Sequence, residues 1–169
     1  MKDLRKFIAT TLMEYLNEQH ISNNNWYHGS DIKKPIFSFD HIPIFFTKNK
    51  EYAKGYGKYI NCYKLDIKNP FDTRNFKDLE IYNFIFIPWA KEYSEGDKRY
   101  VELGNGQGVP MITADLLYLF LRKTKREGID YGYDGVIVDE SGFEFDFIDA
   151  KFSIFPLSYK QIKQKECYN

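Results

Sequence analysis

Apolar residues recur at helical spacing from the start of the chain: Leu4, Phe7, Ile8, Leu12, Tyr15 and Leu16, with Thr11 on the same stripe. The spacing predicts a helix over about residues 3–19, roughly four turns long, losing its pattern in the Asn-rich run at 22–25. Trp26-Tyr27-His28 reads as a short strand, and residues 42–46 as a second, with Thr47 placed to cap a helix over 48–55. Residues 58–67 alternate apolar and polar positions, then meet Asn69-Pro70-Phe71, which predicts a strand with a sharp exit. The apolar run 81–87 fits a strand or the buried side of a helix. A glycine-rich loop at 104–108 follows, and its glycine spacing is not that of a dinucleotide fingerprint. Thr113 is placed to cap a helix whose face is Leu116, Leu117, Phe120 and Leu121, stopping at Gly128. Residues 133–138 read as a turn into a strand, and 143–148 and 152–155 as two final strands. No repeat or linker divides the pattern, so residues 1–169 are expected to form one α+β domain.

Composition narrows the function. The chain is 43% hydrophobic and 18% aromatic, enough for a substantial core. Lys plus Arg equals Asp plus Glu at 24 each, which argues against coating a polyanion as the main task. Cys62 and Cys167 are far apart and in no Cys-x-x-Cys pair, arguing against a disulfide scaffold and a zinc site. His20, His28 and His41 lack metal-ligand spacing, and no metal is expected. The charged start of the chain does not read as a signal peptide, and no apolar run approaches the ~20 residues of a membrane span. A cytoplasmic protein is expected. No Gly-x-Ser-x-Gly elbow or Walker A loop is present.

Candidate chemistry gathers at Tyr27-His28-Gly29-Ser30 and at Phe45-Phe46-Thr47 with Ala53 and Tyr56 following. A histidine and a serine can hydrogen-bond ribose hydroxyls, a glycine admits close backbone approach, and an aromatic can stack on a flat ring. Further along come Asp66-Ile67-Lys68-Asn69-Pro70-Phe71, Gly132-Tyr133-Asp134-Gly135-Val136-Ile137, and a closing Phe155 with Gln161-Ile162-Lys163. In this order, over about residues 26–163, these pieces resemble ADP-ribosyltransferases of the diphtheria-toxin and poly(ADP-ribose) polymerase branch, in the compact form found in phages and polyvalent bacterial proteins. The arginine-specific branch is a poorer match: its Arg and Ser-Thr-Ser strand are not recognisable, and Glu144-Phe145-Asp146 only faintly echoes its Glu-x-Glu loop.

The resemblance implies a split pair of small twisted sheets around an NAD+ cleft, with flanking helices. It implies that His28 and Ser30 bind on the ribose side, that the Gly29 backbone clamps the nicotinamide carboxamide, and that Tyr56 stacks on the cationic nicotinamide. Phe45 falls where many relatives carry a tyrosine, keeping the packing surface without the hydroxyl. A carboxylate near the nicotinamide-side ribose completes the family's chemistry, stabilising developing positive charge. Asp149 is the first candidate, then Glu144, then Asp146; Lys151 stands immediately ahead of the last apolar strand, where relatives place that carboxylate. The expected activity is mono-ADP-ribosylation of a macromolecular target by a phage or mobile-element effector. NAD+ is the co-substrate and a protein or nucleic acid the acceptor; an RNA-end transferase is a weaker variant. The alternative, followed if Lys151 takes the position, is a non-catalytic module of the same fold that binds a partner or NAD+.

Plainer roles are expected for several of these residues. Tyr52, Ala53 and Tyr56 at helical spacing suit a core. Asp134-Gly135 suits a structural turn, Asp139-Glu140 a solvated hairpin loop, and Arg122, Lys123, Lys125, Arg126 and Glu127 the wet face of a helix or a local phosphate contact.

Overall fold

The computed structural model describes residues 25–38, 43–94, 103–106, 108–139 and 152–164. The expected N-terminal helix and the strand at 143–148 lie outside them.

β1 (Trp26–Ser30) pairs with β3 (Tyr59–Leu65), antiparallel from Trp26↔Tyr63 to Ser30↔Tyr59. Between them in sequence come β2 (Phe46–Thr47) and α1 (Lys50–Lys54). β4 (Pro70–Phe71) follows β3, and a continuous helical stretch then runs as α2 (Phe76–Ile81), one π-turn (Tyr82–Phe86) and α3 (Ile87–Tyr93). The rest comprises β5 (Val109–Pro110), α4 (Met111–Arg126), β6 (Gly135–Asp139), β7 (Phe152–Pro156), a 3₁₀ turn (Tyr159–Gln161) and β8 (Ile162–Gln164). Fold class is therefore α+β with one mixed sheet in the order β4-β6-β7-β2-β1-β3-β8, and β5 also pairs β6. β4 and β5 both run parallel to β6, at opposite ends of it. The expected pair of sheets is thus one sheet, narrowed in the middle to the two residues of β2.

Apolar side chains fill both faces of that sheet, because neighbours on a strand point to opposite sides. Val136, Val138 and Phe155 pack with Phe71, Phe86, Leu117 and Tyr118 under the helices. Ile137 and Ile154 face the other way, onto Trp26, Phe46, Tyr63 and Leu65.

The run at 81–87 is helical, with Tyr82, Phe86 and Ile87 buried and Phe84 and Ile85 exposed. An apolar block without alternation does not distinguish the two forms, and packing against Phe120 decided it. Thr47 does not cap α1. It is a strand residue paired with Tyr27 and Ser153, and Asn49 is the cap, its Oδ1 accepting from the amides of Glu51 and Tyr52 at 2.9 and 3.0 Å. Thr113 does not cap α4 either: buried inside the first turn, its hydroxyl donates to the Pro110 carbonyl and pairs with the Tyr82 hydroxyl. The stop at Gly128 is as the pattern predicts. Gly128 has φ +92°, and the amides of Gly128 and Ile129 reach back to the carbonyls of Lys125 and Thr124, a Schellman closure.

Asp134 has the structural role expected of it, its carboxylate accepting from the Lys68 and Asn69 amides at 2.8 Å each to tie the turn before β4 to the start of β6. Asp139 is not in a hairpin loop. It ends β6, paired with Phe152 and Pro110. β8 had no predicted counterpart, being three residues that gain strand form only by pairing with β3. Cys62, buried on β3, is disulfide-bonded, and Cys167 lies outside the described residues. One buried cross-link is compatible with the lack of scaffold-like cysteine spacing, but it is unusual in a reducing cytoplasm.

Candidate functional site

β1 and β2 are in register at one pair only, Tyr27↔Thr47. Beyond it the strands separate, and the carbonyl of Phe45 accepts from the His28 ring instead, at 2.9 Å from Nδ1. A carbonyl only accepts, so Nδ1 carries the proton and Nε2 of the neutral ring is left as an acceptor. Burial lowers the His28 pKa, with the Phe45 carbonyl opposing that shift, so the neutral form is favoured. The rings of Phe37 and Phe46 hold the imidazole from two sides, with centroids at 5.2 and 5.5 Å.

The separation opens a cleft of about 390 Å³. His28 and Gly29 of β1 line it together with Phe45 and Tyr56, which come from two other stretches of the chain. Phe45 is fixed by edge-on contact with Phe155 at 5.5 Å. Tyr56 follows α1, its hydroxyl 2.6 Å from that of Tyr52 and the two rings edge to face. The plain expectation holds for Tyr52, 7% exposed, but not for Tyr56, which is 51% exposed and lines the cleft.

Packing gives Gly29 a reason for being glycine. A Cβ there would lie 1.9 Å from the Ala53 carbonyl oxygen, so glycine is required for β1 to pack against the end of α1. Ser30 is not among the lining residues. Its Oγ accepts from the Ile32 amide at 3.1 Å, closing a local turn. Asp149, Glu144, Asp146 and Lys151 lie outside the described residues.

Sequence reading missed the floor and the lip of the cleft. Thr47 and Ser153 form part of the floor as cross-strand partners, and Pro35, Ile36, Phe37 and Ser38 form part of the wall. Beyond Thr47, which the Phe45-Phe46-Thr47 motif already contains, neither group carries a local signal, because one depends on strand register and the other on where a loop folds back. Among the described residues none lining the cleft is charged. Its recognition chemistry is therefore stacking on Tyr56, hydrogen bonding to Nε2 and hydroxyls, and apolar contact, within the size range of small-molecule sites. Among the described residues no cluster of His, Cys, Asp or Glu is arranged to hold a metal, and no helix is long and apolar enough to cross a membrane.

No protein-family model matches the chain, and no curated protein matches it. Among solved structures, a crystal structure of an anti-CRISPR protein is similar over 85% of this chain and 96% of its own, with a TM-score of 0.44 and 11% identity.

Proposed function

We propose that the cleft holds NAD+ and that the protein is a mono-ADP-ribosyltransferase acting on a macromolecule, as the ordered motifs imply. The observation that carries this reading is the meeting of His28 and Gly29 with Phe45 and Tyr56, three separate stretches of chain, around one 390 Å³ concavity. Their chemistry suits the ligand. Nε2 of a neutral His28 can accept from a ribose hydroxyl, and the half-exposed ring of Tyr56 can stack on a nicotinamide whose positive charge strengthens the contact. The transfer breaks the bond between nicotinamide and its ribose, joins that ribose carbon to a nucleophile of the acceptor, and releases nicotinamide and a proton. Asp149 first, and Glu144 second, are the carboxylates assigned to stabilise the developing charge.

The test is to follow label from NAD+ into candidate protein and RNA acceptors, beside NAD+ binding by calorimetry. Either Asp149→Asn or Glu144→Gln is expected to lower turnover by roughly 10²–10³ while leaving NAD+ affinity nearly intact. Turnover surviving in both variants would remove these residues from the third position. NAD+ bound without turnover on any acceptor would favour the non-catalytic module, and no NAD+ binding at all would remove the basis of the reading.

A further inference from the structure

Two hollows flank the C-terminal half of α4. One, of about 510 Å³, lies against the 3₁₀ turn and takes in Arg122, Lys125, Arg126 and Lys160. The other, of about 180 Å³, lies against α3 and takes in Trp89, Tyr93 and Lys123. They share Arg122 and Arg126, so they form one continuous surface, and neither shares a residue with the NAD+ cleft. We propose that this surface binds a single-stranded nucleic acid, its phosphates on the cations and its bases on the flanking aromatics. The proposal is independent of the NAD+ reading.

The charge is local. The chain as a whole balances 24 cations against 24 carboxylates, yet this surface carries Arg122, Lys123, Lys125, Arg126 and Lys160. Among its carboxylates, Asp134 accepts from two backbone amides, and Asp130 pairs with Lys125 at 2.8 Å and accepts from the Gly132 amide, so Lys125 is already paired within the surface. Glu127 stands 3.9 Å from Lys123, a loose exposed pair that a phosphate can displace. Arg126 and Lys160 have no ion-pair partner among the described residues. Arg122 is held in place, its Nη1 donating to the Tyr118 hydroxyl at 2.7 Å.

Aromatic rings line both hollows. Trp89 and Tyr93 are stacked at 4.7 Å and 15°, with the Lys123 ammonium within 6.0 Å of both centroids, and Tyr93 is 51% exposed. In the larger hollow Tyr131 joins the lining, stacked on Phe120 at 5.8 Å and 30°. Cations that track a backbone, with open rings on which bases stack, are the recurring design of single-strand sites. An acidic peptide would use the cations and leave the rings idle.

Fluorescence anisotropy of the full chain with a labelled oligo-dT or oligo-U of about 16 nucleotides tests this, titrated between about 50 and 200 mM salt. Binding that weakens with salt is expected. Arg126→Gln with Lys160→Gln is expected to lower affinity at least about tenfold and to reduce the salt slope by about 1.4, the contribution of two phosphate contacts on a single strand. Tyr93→Ala is expected to lower affinity about 5- to 150-fold with the slope unchanged, as for loss of one stacked base. Melting curves matching the wild type show that these surface variants remain folded. The proposal is overturned by absence of binding at the lowest salt, by undiminished binding in the double variant, by equal competition from polyglutamate, or by tighter binding of duplex than of single strand.

Discussion

At His28 one hydrogen bond sets the chemistry of the ring. Because Nδ1–H is held on the Phe45 carbonyl and burial lowers the pKa, the folded protein takes up a proton on this ring less readily than the unfolded chain. The sign follows directly. The stabilisation from burying a neutral His28 is fully present above the ordinary histidine value of about 6.5 and is lost as pH falls through the lower folded value. Protonation also removes the Nε2 acceptor, so the rise in melting temperature produced by NAD+ should shrink over the same acidic range. Melting curves from about pH 8 to pH 5 should show both trends in the wild type and lose the His28 part in His28→Gln. The two tyrosines next to the cleft should separate in the same assay. Tyr56→Ala should abolish most of the NAD+ shift and cost only about 1 kcal/mol of basal stability, the value of one lost hydrogen bond. Tyr52→Ala, at a buried site, should cost about 3 kcal/mol or more without ligand. Equal basal losses would make Tyr56 a core residue.

At the scale of elements, α1 has only five residues, too few for intrinsic helical stability, and depends on its Asn49 cap and on contact with β1. Gly29→Ala drives a Cβ to within 1.9 Å of the Ala53 carbonyl oxygen. Backbone has no rotamer by which to move aside, so α1 must shift, and a loss of about 3 kcal/mol in denaturant unfolding is expected, with NAD+ binding falling as Tyr56 moves. A Gly29→Ala protein of wild-type stability would show that the β1–α1 contact is looser than the geometry implies. The turn between β3 and β4 depends in the same way on one side chain. Asp134→Ala leaves the Lys68 and Asn69 amides to water and should cost about 1–3 kcal/mol, read from the same unfolding curves.

For the whole molecule the decisive feature is the waist at β2. The β1-β3-β8 group and the β4-β5-β6-β7 group are joined in the sheet through two residues, Phe46 and Thr47. The cleft opens at that join, and a ligand there touches Tyr27 and His28 on one side and Ser153 on the other. Hydrogen exchange should find the amides of β2 less protected than those of β6, whose interior is fully buried. Saturating NAD+ should slow exchange at β2 more than at β6, since a ligand bound to the native state raises the cost of opening where it bridges. Equal slowing throughout would show only global stabilisation, with no special role for the join.

The period of the pattern determined what it should. Strands at β1, β3, β6 and β7, the apolar face of α4 and its glycine stop were legible, because alternation, helical spacing and a left-handed C-terminal residue act within a few positions of chain. His28, Phe45 and Tyr56 were legible as candidates because their residue types and order carry a resemblance. Tertiary structure decided the rest. It made 81–87 helical, turned Thr47 into a sheet partner, drew a strand from residues 162–164, and committed Ser30 to a local turn. It also gathered Thr47, with the unsignalled Ser153 and 35–38 loop, around the same space as His28. A side chain's type is local, but the register of strands and the packing of a ring against a carbonyl depend on residues far away in the chain, and local patterns carry no record of them.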